Sequence, residues 1–301
     1  MIAGMTMMQT EPQMLAANQM SRALSKYEKG DVRYVPTTEE SIENLKNLKL
    51  DDLKEIYSKQ LSAAHGEVAI VGEFDMQPTL AAVNDLLKEW NSDVEYRAIK
   101  REAKKDLVGS KSEINTPDKE NAVFTAGLAF EMNESNEDSA ALVLGNFILG
   151  GGTLSSRLGD RIRQKEGLSY GVTSTMTIPD QGTDARFMIT ATMNPGNIDA
   201  VEKAANEELA RFLADGPTDA EVADAQKGWL ESQKVSRSRD GSIAGQLNSN
   251  AFLGRTFDYT IAREKKIASL TAAEIKNAFQ KHIDPKKLIV IRAGDLKKKS
   301  K

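Results

Sequence analysis

Residues 147–172 read Phe-Ile-Leu-Gly-Gly-Gly-Thr-Leu-Ser-Ser-Arg-Leu-Gly-Asp-Arg-Ile-Arg-Gln-Lys-Glu-Gly-Leu-Ser-Tyr-Gly-Val. Three consecutive glycines end an apolar helix and free the backbone for a tight reversal. A short basic helix follows over 155–165, Gly167 breaks it, and a strand opens at Tyr170. A phosphate-binding reading of Gly150–Gly152 fails on two counts. No Lys-Ser/Thr follows at Walker spacing, and a helix precedes the glycines where a dinucleotide fold needs a strand. The loop is therefore read as a helix C-cap and turn.

Working outward from this turn, residues 121–132 form a strand rich in β-branched and aromatic residues. Residues 135–149 form a helix whose Ser135-x-x-Asp138 start resembles a capping box. The strand from Tyr170 runs to Ile178, and a second covers 185–193. The two are joined through Pro179-Asp180-Gln181-Gly182, a turn composition. A helix over 198–214 puts Ile198, Val201, Ala205, Leu209 and Phe212 on one face. Thr218-x-x-Glu221 caps the next helix, with Val222, Ala225 and Trp229 inward. Hairpin strands followed by a run of helices predict an α+β fold, with helices packed on one face of a mostly antiparallel sheet.

Two distant segments align without a gap at an offset of 222 residues. Leu48, Leu53, Tyr57, Leu61, Val68 and Gly72 fall on Leu270, Ile275, Phe279, Ile283, Val290 and Gly294. Each reads as an amphipathic helix followed by a buried strand, over 67–72 in the first copy and 288–293 in the second. A weaker match upstream sets Leu15-Ala16 and Ala23 on Ile243-Ala244 and Ala251. Two matches in order predict a duplication. The tail of one repeat then occupies residues 1–91, a charged linker 92–115, and a complete repeat 116–301. Within the linker, 106–114 can pair as an edge strand.

Composition excludes several functions. The chain has 301 residues, 40% hydrophobic and 28% charged, with net charge −4 and pI near 5.5. That balance argues against nucleic acid or an anionic membrane as partner. The basic run Lys297–Lys301 reads as a solvated tail. There is no cysteine, so disulfides, thiolate nucleophiles and cysteine zinc sites are ruled out. Many periplasmic proteins also lack cysteine, so its absence leaves the compartment open. No apolar stretch approaches a membrane span. The only histidines, His65 and His282, lie in no His-x-x-x-His context, and no metal site can be assembled around them. His282 ends a helix, where a cation meets the helix dipole favourably. Glu39-Glu40 and Asp51-Asp52 read as helix-start acids rather than catalytic dyads, and Trp90 and Trp229 as core.

Arg163 and Tyr170 are the candidate site residues. Their context, Arg-x-x-x-Gly-Leu-x-Tyr, resembles the signature of the last repeat of pitrilysin/insulinase-type zinc metallopeptidases. Residues 115–122, 215–221 and 293–295 are similar to stretches of bacterial members. The resemblance implies a LuxS/MPP-like repeat in which Arg163 and Tyr170 bind the backbone of a peptide substrate. It also implies a clamshell whose other half carries zinc and its glutamate base. The inverted zinc motif His-x-x-Glu-His is nowhere in the chain. Zinc is thus expected in a catalytic half lying upstream or on another chain, and no cofactor or catalytic residue in this chain alone. The expected function is the substrate-binding, chamber-forming half of a zinc endopeptidase; the alternative is a non-catalytic structural or assembly module of the same fold. A donor pair for substrate should open into one shared concavity and be free of core packing and ion pairing.

Overall fold

The computed structural model describes residues 1–152 and 155–297. Thr153 and Leu154 of the glycine turn, and the basic run beyond Lys297, lie outside the described residues. In chain order the elements are α1 (Ile2–Met8), α2 (Pro12–Ala23), α3 (Thr38–Asn47), α4 (Leu50–Lys59), α5 (Met76–Leu87), β1 (Ser110–Asn115), β2 (Ala122–Glu131) and α6 (Ser139–Asn146). β3 (Gly171–Thr177), β4 (Asp184–Met193), α7 (Ile198–Asp215), α8 (Asp219–Arg237), α9 (Asp240–Phe252), α10 (Phe257–Ser269), α11 (Ala272–His282) and β5 (Ile289–Gly294) follow. Two π-helical turns, Phe147–Gly151 and Gly159–Lys165, fall between α6 and β3.

The chain separates into two compact units. One is formed by Met1–Glu43, Lys100–Trp229 and the stretch from Lys266; the other by Asn44–Ile99 and Leu230–Lys265. The first holds a single five-stranded sheet of order β1-β5-β2-β4-β3. Only the β1–β5 pairing is parallel, and the other three are antiparallel. This is the α+β architecture expected from the sequence. β2 buries eight consecutive residues, as a strand does when both its faces are covered. On one face lie α6, α7 and α11, where the Phe279 ring meets Phe187 edge-on at 6.2 Å and Phe212 at 4.8 Å. The sequence predicts helices on one face only, but the other face of β2 and β5 receives α2, whose buried Met20 puts its Sδ 3.2 Å from where a Cβ on Gly127 would stand. β4 alternates buried and half-buried residues, the period of a strand with one face on the core.

Several local expectations are corrected. α6 begins at Ser139, not at Ser135, because Asn133 and Asn136 fold their side-chain oxygens onto the N–H groups of Ser135 and Asp138 and hold two tight turns first. The capping box does form at Thr218 and Glu221. β5 joins the sheet as an inner strand, between β1 and β2, and Ser110–Asn115 is the edge strand beside it. Glu67–Gly72 is not a strand. A strand needs a ladder partner, and among the described residues before Ser110 there is no strand to supply one. Trp90 is 36% exposed and stacks on Tyr57 instead of entering a core. Trp229 packs half-buried against the core of the sheet-bearing unit.

Candidate substrate-binding site

The segment from Gly150 to Gly171 is built around three buried anchors. Leu149, Leu158 and Ile162 are fully buried, so both π-helical turns, the first of which contains Gly150 and Gly151, are fixed to the core. Gly150 is required by close approach: a Cβ there would stand 2.6 Å from the Ser174 backbone nitrogen and 2.8 Å from Leu158 Cδ1. The glycine run thus lets the turn pack on β3, beyond ending a helix. Asn146 and Thr173 reinforce the contact, donating to the Ser174 and Gly150 carbonyls respectively.

Three arginines follow, and the fold treats them differently. Arg157 is held by both Glu221 carboxylate oxygens, at 2.7 and 2.8 Å, and donates to the Gly216 carbonyl. Arg161 pairs with Glu166 and Glu207 and donates to the Ala204 carbonyl. Both guanidiniums, with that of Arg211, also surround the buried carboxylate of Glu208. Hydrogen bonds from Arg157 hold the Glu221 carboxyl at about 2, against its ordinary 4.5. Arg163 is different. It is exposed, and its side chain makes no hydrogen bond or ion pair among the described residues. It follows the buried Ile162 directly, so the anchor that fixes the helix turns its neighbour outward.

Tyr170 is presented by a pinned backbone. Gly167, at φ +62°, reverses the chain, after which Leu168 donates to the Ile162 carbonyl and accepts from Asn197 Nδ2. The Ser169 hydroxyl donates to the Gly171 and Thr192 carbonyls, and the Tyr170 N–H donates to Thr192 O at 2.9 Å. The phenol itself is 64% exposed and makes no hydrogen bond among the described residues. Tyr170 immediately precedes β3, which lies at the edge of the sheet.

The structure therefore leaves both sequence-derived candidates exposed, on the two arms of one loop that Leu168 ties to Ile162. It does not set them in the described cavities. The largest of these, about 880 Å³ and open, is lined by Lys104, Phe130, Leu213, His282 and Lys287 among others. Another, along Arg157, Arg161, Glu208 and Glu221, belongs to the ion-pair network. Asp138, read from the sequence as the acid of a capping box, instead has its Oδ2 receive Lys281 at 2.7 Å and His282 at 2.8 Å, a pairing the sequence did not reveal. Burial opposes ionisation of Asp138, but those two hydrogen bonds outweigh it and hold its carboxyl below the ordinary value. The bridge ties the start of α6 to the end of α11 across more than 140 residues, a separation that leaves no local signal. Among the described residues no group of three or more His, Asp or Glu could hold a metal ion. No helix of the described residues is long and apolar enough to cross a membrane.

Residues 47–228 match the family described as the peptidase M16 inactive domain. The non-peptidase homolog YmxG of Helicobacter pylori is 26% identical over 248 residues, which cover 80% of this chain and 55% of that protein. The uncharacterized zinc protease ML0855 of Mycobacterium leprae is 38% identical over 106 residues, covering 35% of this chain and 21% of that protein. The chain thus spans little more than half the length of the curated relatives it matches, at most. In fold it is similar to the crystal structure of a peptidase M16 inactive domain from Pseudomonas fluorescens. The TM-score is 0.75 at 24% identity, over 97% of this chain and 68% of that one.

Proposed function

We propose, from the premise that the chain belongs to the peptidase M16 inactive-domain family, that it is the substrate-binding, chamber-forming half of a zinc endopeptidase. The observation that carries the reading is the contrast among the three arginines. Arg157 and Arg161 are consumed by carboxylates while Arg163, with Tyr170, is left as exposed donors without partners among the described residues. An unused guanidinium and phenol at the start of an edge strand suit an extended peptide. Edge-strand N–H and C=O groups near Tyr170 can pair with a peptide laid beside them, while further along the strand Ser174 is already engaged by Asn146. The Tyr170 O–H and the Arg163 fork of N–H groups can donate to substrate carbonyls, and to the oxygen that gains charge when one is attacked.

Zinc supplies the activated water in such enzymes. On this reading that chemistry comes from the partner half, and the described residues include no group that could hold the metal. What this chain's residues do is hold and orient the peptide backbone.

The second reading, a structural or assembly module, is favoured by one observation: the H. pylori relative carries the name of a non-peptidase homolog. Peptide binding separates the two. Titrating the 301-residue chain into a fluorescently labelled, unstructured peptide should give saturable anisotropy. Arg163→Ala should weaken it by about tenfold or more, a loss of about 1.4 kcal/mol. Equal binding by wild type and variant, or none by wild type, supports the structural module.

A further inference from the structure

The ladder between β2 and β5 stops short of the end of β2. It pairs Val123–Gly127 with Ile289–Ala293, whereas β2 runs on to Glu131 with β4 alone beside it. β5 begins no earlier because the residues before it use their amides within a turn. Pro285 has no N–H. Lys286 donates to Asp284 Oδ1, Lys287 to the Asp284 carbonyl and Leu288 to the Pro285 carbonyl. The overhang Leu128–Glu131 therefore has no strand on that side, and it lines the open cavity of about 880 Å³.

The cavity is basic in a chain whose net charge is −4. Lys104, Lys105, Lys281 and Lys287 line it against two acids, Glu131 and Asp284. Lys105 is paired with Glu131 at 3.0 Å and Lys281 with Asp138 at 2.7 Å, and Lys287 is exposed to water. Lys104 differs from all three. It is half-buried and makes no hydrogen bond or ion pair among the described residues. A cation drawn out of water is costly without a counter-ion, and an anionic ligand supplies one. Beside the lysines the lining is apolar: the Phe130 and His282 rings lie 5.6 Å apart, and Leu213 and Ile283 add aliphatic surface.

We propose that this cavity binds a small organic acid, with its carboxylate on Lys104 and its apolar body against Phe130, Leu213 and Ile283. The volume falls within the range of about 300–1,000 Å³ typical of small-molecule sites. One carboxylate suits the lining better than a polyanion, because Glu131 and Asp284 repel further negative charge. A neutral ligand leaves Lys104 without a counter-ion. Neither Arg163 nor Tyr170 lines the cavity, so the acid site stands apart from the peptide-binding function proposed above and does not depend on it.

The test titrates the 301-residue chain with 4-phenylbutanoate and with the uncharged 4-phenylbutan-1-ol, followed by calorimetry and by NMR of the histidine rings. The acid should bind saturably and the alcohol about tenfold or more weaker, the effect of one charge-assisted hydrogen bond. Lys104→Met should weaken the acid by a similar factor, and Lys104→Arg, which keeps the charge, should retain it. Lys105→Met should bind as wild type, since Glu131 already holds that charge. The chain has only two histidines. His282 lines the cavity, and His65 lies in the other unit. Saturating acid should move the ring C–H resonances of His282 and leave those of His65 in place. An unmoved His282, equal binding of acid and alcohol, or a folded Lys104→Met variant that binds the acid as wild type does overturns the proposal. So does tighter binding of tripolyphosphate than of the acid, the mark of a polyanion site.

Discussion

Arg157, Arg161 and Arg163 are chemically identical and lie within seven residues, yet only the third is available to a ligand. Nothing in their spacing distinguishes them. Apart from Glu166, five residues beyond Arg161, the carboxylates that consume the first two come from α7 and α8, 46 and 64 residues further along the chain. Sequence could name the pair Arg163 and Tyr170 through resemblance; the fold supplies the reason the other two are unavailable. The Arg157–Glu221 pair also has a consequence for stability. The Glu221 carboxyl is depressed from 4.5 to about 2 by the Arg157 hydrogen bonds. A group depressed on folding contributes stability that is present above its unfolded value and lost as pH falls through its folded one. Urea unfolding of wild type and Glu221→Gln should therefore differ most above 4.5, with wild type the more stable. The gap should close as pH falls toward about 2. A gap that stays constant over this window would mean that the ion pair contributes nothing.

Elements were legible where one face meets the core. The alternation of β4, the apolar face of α7 and the Thr218–Glu221 box all carry their periodicity in the chain itself. The π-helical turn Phe147–Gly151 was not legible, because it depends on how closely Gly150 can approach Ser174. The strand expected at Glu67–Gly72 failed for a related reason: its pattern is that of a strand, but strand formation needs a partner. Glycines show the same split between local and tertiary causes. In α6, a Cβ on Gly145 would stand 2.4 Å from Phe279 Cε2 and 2.8 Å from Ile275 Cγ2, both in the buried core. In α9, a Cβ on Gly245 meets nothing within 4 Å. Helix propensity favours alanine at both, by about 1 kcal/mol. Overpacking at Gly145 costs about 1–3 kcal/mol and should win. Gly145→Ala is thus expected to lower the unfolding midpoint and Gly245→Ala to hold or raise it. A Gly145→Ala variant as stable as wild type would show that α6 and α11 are not packed as described.

At the scale of the whole chain, a member of the peptidase M16 inactive-domain family has a sequence that contains no His-x-x-Glu-His motif. His65 stacks on Tyr96, and His282 is engaged by Asp138; each ring already has a structural neighbour. Purified after extensive dialysis, the chain should retain far less than one zinc per molecule and cleave no member of a mixed fluorogenic peptide library. Stoichiometric zinc with chelator-sensitive cleavage would contradict the division of labour between this chain and a zinc-bearing half. The central claim is that the exposed pair serves substrate, and Tyr170→Phe tests it most directly. The substitution removes one hydroxyl that makes no hydrogen bond among the described residues, so it breaks no bond that holds the fold. Measured in the proposed enzyme, assembled with a zinc-bearing half, turnover should fall by about 10²-fold or more, the cost of one lost transition-state donor being about 2.7–4 kcal/mol. The Michaelis constant should change far less. Wild-type turnover in Tyr170→Phe would contradict the account and leave the chain a structural member of its family.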